Sequence, residues 1–238
     1  MDRPQGHHGG VLAIMTTTIS ERKLKRITHL EIGAHSPDST WSLMEAVAYV
    51  AGESWSDSPE CTCPVLASYG RSLNDYMPYD QRQRLIPIIP SLIGTKAGRE
   101  VELRRAYLLV DVAVRVMAPM ALRAAHLDEE AHNLASLPEI TNAEAAEAAW
   151  AAAEAAGAAA WAVEAARAVE AAWAAEATAW AADTAAEAVR SVRSAGAVET
   201  VRAAARSALA AAWAVRPAAP WDVAIDAFER AIAIKETS

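Results

Sequence analysis

The chain has 238 residues, a formal net charge of -8 and two cysteines, Cys61 and Cys63. That length builds one large domain or two small ones, each with a core of its own. An acidic chain without clustered Lys and Arg is unsuited to nucleic acid or anionic lipid, and cysteines one residue apart do not make a disulfide framework, so a reduced, cytoplasmic protein is expected.

Residues 1–14, with His7 and His8 in a Gly-rich context, read as a disordered extension, and Met15 ahead of Thr16, Thr17 and Thr18 is a candidate translation start. No signal peptide or membrane span is expected, because charges interrupt every apolar stretch and each costs roughly 2.5–3.5 kcal/mol at mid-bilayer. A first helix is expected from about Ser20 to Leu30. Its run of Arg22, Lys23, Lys25 and Arg26 spreads around the surface as a solvated face. Gly33 and the segment 36–39 make a loop. Ser42 and Glu45 have capping-box spacing for a helix that Gly52 stops. Pro64 opens the next, to about Tyr76, with Asn74 and Asp75 in a C-cap role. Asp80 caps a short helix to Ile86, and Pro87 and Pro90 break the chain into turns as far as Gly94. Helices are then expected from Arg99 to Met117, from Pro119, and from Asp128 until Pro138. Arg104 and Arg105 read as ion-paired and exposed beside Glu100 and Glu102, and His126 and His132, six apart, lie on different faces.

Thr141 and Glu144 offer a second capping box, which opens a long element. From Ala143 to Arg190 more than half the residues are alanine, the best helix former. The residues from Glu144 to Arg193 that stand out from the alanine, nearly all bulky or charged and with Gly157 between Glu154 and Trp161, recur at steps of three or four, and so form one stripe along a helix. Trp150, Trp161, Trp173 and Trp180 stand in it beside Glu, while most of the remaining circumference is alanine. The usual pattern is inverted: the apolar face is made of methyl groups that admit a close partner, and tryptophan lies at its edge. Such a helix buries too little alone to offset its ordering entropy and must pack against something. Gly196 ends or kinks the element, a further helix spans 198–215, and a closing amphipathic helix carries Val223, Ile225, Phe228, Ile232 and Ile234.

The expected architecture is therefore all-α. A compact N-terminal multi-helix domain (15–140) precedes an alanine/Trp-rich helical module (141–238) packed as a hairpin or bundle. Two functional readings follow. One is a non-enzymatic interaction or scaffold protein that self-associates or binds a protein through the stripe of Trp150, Trp161, Trp173 and Trp180. The other places a metal, a small molecule or a reactive thiol at His35, Glu45, Asp57 and Cys61, with His35, Cys61 and Cys63 as zinc ligands. Zinc wants four ligands with paired spacings, and no second cysteine pair exists. A thiol just ahead of the helix opening at Pro64 would feel that helix's positive end. The bland alternative is buried small cysteines and loop-capping carboxylates in the segment AGESWSDSPECTCP.

The run GAHSPDSTWSLMEAVAYVAGESWSDSPECTCPVLASYGRSLND, followed by RQRLIPIIPSLIGT, resembles a large family of uncharacterised proteins of actinobacteria and their phages. Its members share a Gly-x-His loop, the MEAVAYVAGE helix, an SDxPxC loop, a helix ending in Asn-Asp and a Leu/Ile-Pro run ending in Gly-Thr. Many also carry an alanine/Trp-rich tract and a short closing helix. The resemblance singles out His35, Glu45, Gly52, Glu53, Asp57, Pro59, Cys61, Pro64, Asn74, Asp75, Gly94 and Thr95. It carries no activity, and Ser42 stands where members often have Cys, which weakens any site built on that residue, Cys61 and His35.

Overall fold

The computed structural model describes residues 19–33, 36, 40–164, 176, 179–181 and 219–236. Among them the fold is all-α, without strands. Helix α1 is Glu21–Leu24, with Ser20 capping Lys23 N–H, and is shorter than expected. Arg26 and Ile27 donate three residues back and end it, and the chain turns extended, with Glu31 N–H on Trp41 O at 2.9 Å. Its basic run is not wholly solvated. Lys23 Nζ reaches Tyr49 O at 2.8 Å and lies over the Tyr49 ring, while Arg26 Nη1 bonds the Tyr49 hydroxyl, so two cations dock α1 on its neighbour.

Helix α2 (Leu43–Ala51) is capped as expected. Glu45 Oε2 accepts Ser42 N–H at 2.8 Å, and Gly52 stops the helix in the left-handed conformation at φ 79°. Pro64 starts α3 (Pro64–Tyr76). Asn74 does not act as a C-cap: its side chain accepts from Leu43 N–H and donates to Glu31 O, tying α3 to the start of α2. Gly70 lets the packing close, because a Cβ there would stand 3.0 Å from both Met44 Cε and Phe228 Cζ.

Asp80 lies inside α4 (Tyr79–Arg82) rather than capping it, and the proline run continues as helix instead of breaking. A 3-10 stretch, Gln83–Ile88, holds Pro87, and Pro90 falls in the first turn of α5 (Ile89–Leu92), where its missing N–H costs no bond. Helix α6 (Arg99–Val112) passes through a π turn, Ala113–Met117, into α7 (Ala118–Ala124) without a break. Ala118 N–H bonds Ala113 O, five residues back, just before Pro119, which has no N–H to give. Helix α8 is Asp128–Ala135.

Helix α9 is Ala143–Glu164, and its N-cap is Asn142 rather than Thr141. Asn142 Oδ1 accepts Ala145 N–H at 2.9 Å, which leaves Glu144 one place too early for a capping box. Ala146, Ala149, Ala153, Ala156 and Ala160 are buried as one seam, and α9 packs on α8. The closing helix α10 (Ala219–Ala233) packs on α3 and α6. Its Phe228 meets Tyr69 edge to face, with centroids 5.4 Å apart. Residues on both sides of 140 thus contribute to one hydrophobic core. Gly196 and the helix expected over 198–215 lie outside the described residues.

Candidate functional site

Two regions were expected to carry function, and the first is the segment between α2 and α3. Glu53 closes it. Its carboxylate accepts Glu60 N–H at 2.7 Å and Cys61 N–H at 2.8 Å, so the acid caps the loop from within. The next residues dock on the end of α5. Thr62 Oγ1 donates to Leu92 O at 3.3 Å, Cys63 N–H donates to Thr95 Oγ1 at 3.1 Å, and Lys96 N–H donates to Cys61 O at 3.1 Å. Gly94, in the left-handed conformation at φ 77°, makes the turn that brings Thr95 round to these groups. The motif residues Glu53, Cys61, Gly94 and Thr95 therefore do converge, through hydrogen bonds that hold backbone.

The floor of this junction is Arg105. Expected at the surface, its side chain is instead buried. Nη1 donates to Thr95 O at 2.7 Å, Nη2 to Ile234 O at 2.7 Å and Nε to Ala231 O at 3.2 Å. The last two partners lie just past the end of α10 and in its last turn, where helix carbonyls lack partners and the dipole favours a cation. One guanidinium thus joins the Gly-Thr turn to the closing helix. Nothing in local spacing marks Arg105 for this role over Arg104, which bonds Lys235 O at 3.3 Å from an exposed position.

Lys96 stands between two hollows. One, about 370 Å³, lies by Ser58, Thr62, Pro64 and Arg71. The other, about 840 Å³, separates residues 90–97 from the end of α10, with Glu229, Lys235 and Glu236 on its far wall.

The Cys61 thiol lies on Thr62 Oγ1 at 3.8 Å. Burial pushes its pKa above the ordinary thiol value, and Glu53 pushes it further as hydrogen-bond partner and as charge; Thr62 and the Gly94 backbone pull the other way. That direction suits a buried thiol more than a nucleophile, which needs a lowered value. Glu45 is buried in its cap at α2 and Asp57 is exposed, its main-chain oxygen held by Arg71 Nη1 at 2.7 Å. Among the described residues no three His, Cys, Asp or Glu side chains are grouped to hold a metal ion. His35 lies outside the described residues.

The second region is the stripe. Over α9 the alanine seam points inward while Glu144, Glu147 and Glu154 are exposed and Trp150 keeps 37% of its surface open at the edge between them. Trp180 is half-buried against the core and the neighbouring Ala181 is fully buried. The Trp161 side chain and Trp173 lie outside the described residues. No described helix is long and apolar enough to cross a membrane.

Compared with family models, with curated proteins and with solved structures, the chain matches none.

Proposed function

We propose that this is an interaction protein that binds a protein partner, or another copy of itself, through the Trp/Glu face of its alanine-rich helix. The observation that carries the reading is the division of α9 into two surfaces. Its methyl seam is already used up inside the fold, so that face is not available to a partner. What remains outside is a row of carboxylates flanking a tryptophan, and tryptophan is the residue type most enriched where binding energy concentrates. An exposed indole beside three charges contributes little to folding, which leaves contact as the role it fits.

The Cys61 junction supports a structural role more than a chemical one, since Glu53, Thr95 and Arg105 all hold main-chain atoms there, and the contact of Glu53 with the Cys61 thiol raises that thiol's pKa instead of activating it. Trp150→Ala, made in several independent preparations and set beside Glu147→Gln and Glu154→Gln, separates contact from folding because these side chains are exposed, whereas Trp180 is left intact because it packs on the core. Light scattering and affinity capture with wild-type chain should show an assembly, larger than the 25.3 kDa single chain, that the variants lose at unchanged melting temperature. The same mass and the same captured protein with every variant would remove the reading.

A further inference from the structure

From the distribution of charge we infer that the occupant of the α9 face is a lysine- or arginine-rich polypeptide segment. This inference rests on the interaction reading given above and names the chemistry of its partner. The net charge of -8 is not spread along the chain. Residues 128–164 hold eight carboxylates and no Lys or Arg, while the rest of the chain balances at 22 acidic and 22 basic residues. The whole excess therefore sits on two mutually packed helices, α8 and α9, and on Glu139 in the connection between them.

Asp128, Glu129, Glu139, Glu144, Glu147 and Glu154 are all exposed. None of them makes an ion pair among the described residues, unlike Asp222 and Asp226 of α10, which pair with Arg84 and Arg230. Carboxylates spaced one turn apart on an exposed helix do not converge on a single point, and no metal-holding group occurs there. An extended cation matches them better than a compact one.

Trp150 adds a face that attracts Lys and Arg by the ring quadrupole and buries their aliphatic stems. A second copy is the weaker match: each would bring the same -8, and its basic counterpart, the run from Arg22 to Arg26, already commits Lys23 and Arg26 to Tyr49. Anionic partners are repelled.

The test uses the full chain and a fluorescein-labelled lysine-rich helical peptide, with its glutamate-for-lysine counterpart as control, read by anisotropy. The lysine peptide should bind and the counterpart should not, and affinity should fall steeply with added salt. Glu144→Gln with Glu147→Gln and Glu154→Gln should weaken binding roughly tenfold, and Trp150→Ala roughly fivefold. Removing three exposed carboxylates elsewhere (Glu21→Gln, Glu100→Gln and Glu229→Gln) should change it less than about twofold. Equal losses from both triple variants would reveal unspecific attraction to an acidic protein and overturn the inference, as would no binding at all. If Trp150→Ala abolishes assembly in light scattering while the Gln variants assemble normally, the cationic partner is wrong and the interaction reading survives. A mass twice that of the chain without peptide, insensitive to the Gln variants, makes the occupant a second copy.

Discussion

Arg105 shows how much one side chain can hold. A buried cation is costly unless its donors are met, and here three carbonyls from two distant segments meet them. Arg105→Leu leaves the carbonyls of Thr95, Ala231 and Ile234 without that donor, and a loss of about 2–4 kcal/mol is expected in urea unfolding. Arg105→Lys keeps the charge without the planar fork and should recover only part of it. Cys61 carries a pH prediction. Its folded pKa is raised, so the unfolded chain ionises first; the burial contributes fully below the ordinary thiol value and is lost as pH climbs through the raised one. Stability should therefore hold from pH 7 to about 8 and decline as pH rises past the ordinary thiol value of about 8.5, declining less in Cys61→Ala, and iodoacetamide should label the folded thiol more slowly than a free cysteine.

Among the elements, the end of α7 holds a strained residue. His126 takes φ 61° while Leu127 N–H reaches back to Leu122 O at 2.9 Å, a closure that ordinarily belongs to glycine. His126→Gly should raise the melting temperature, by relief of about 0.5–1 kcal/mol. Helix boundaries were legible where a local rule decided them: Ser42 with Glu45, Gly52 and Pro64 all act within a few residues of themselves. Elsewhere longer-range packing prevailed. The stretch through Pro87 and Pro90 stays helical because 3-10 geometry and a first-turn position accommodate both rings. Asn142 takes the cap from Thr141 while Ile140 N–H is pinned by Asp111 Oδ1 at 2.9 Å, a contact from another helix that fixes where α9 can start. The candidate site followed the same divide. A loop-capping acid was readable in the segment that holds Glu53, but Asn74 reaches Leu43 and Glu31, and Arg105 reaches Ala231 and Ile234, partners far along the chain that no local spacing announces.

At the scale of the molecule, the inverted helix joins the two halves of the chain, with methyl groups inward and charge outward. The seam of Ala146, Ala149, Ala153, Ala156 and Ala160 has a further consequence. Its side chains are identical, so sliding the helix by one step of seven residues, about 10 Å, sets the same methyl groups against the same neighbours. Unlike a seam of mixed large residues, it works as a rail: it sets the distance between helices and says almost nothing about position along them. The stop that removes this freedom stands at the near end, where Ile140 enters the core and Asp111 grips its backbone. Axial placement of every outward carboxylate on α9, and of Trp150 among them, is therefore dictated from a single point before the helix begins.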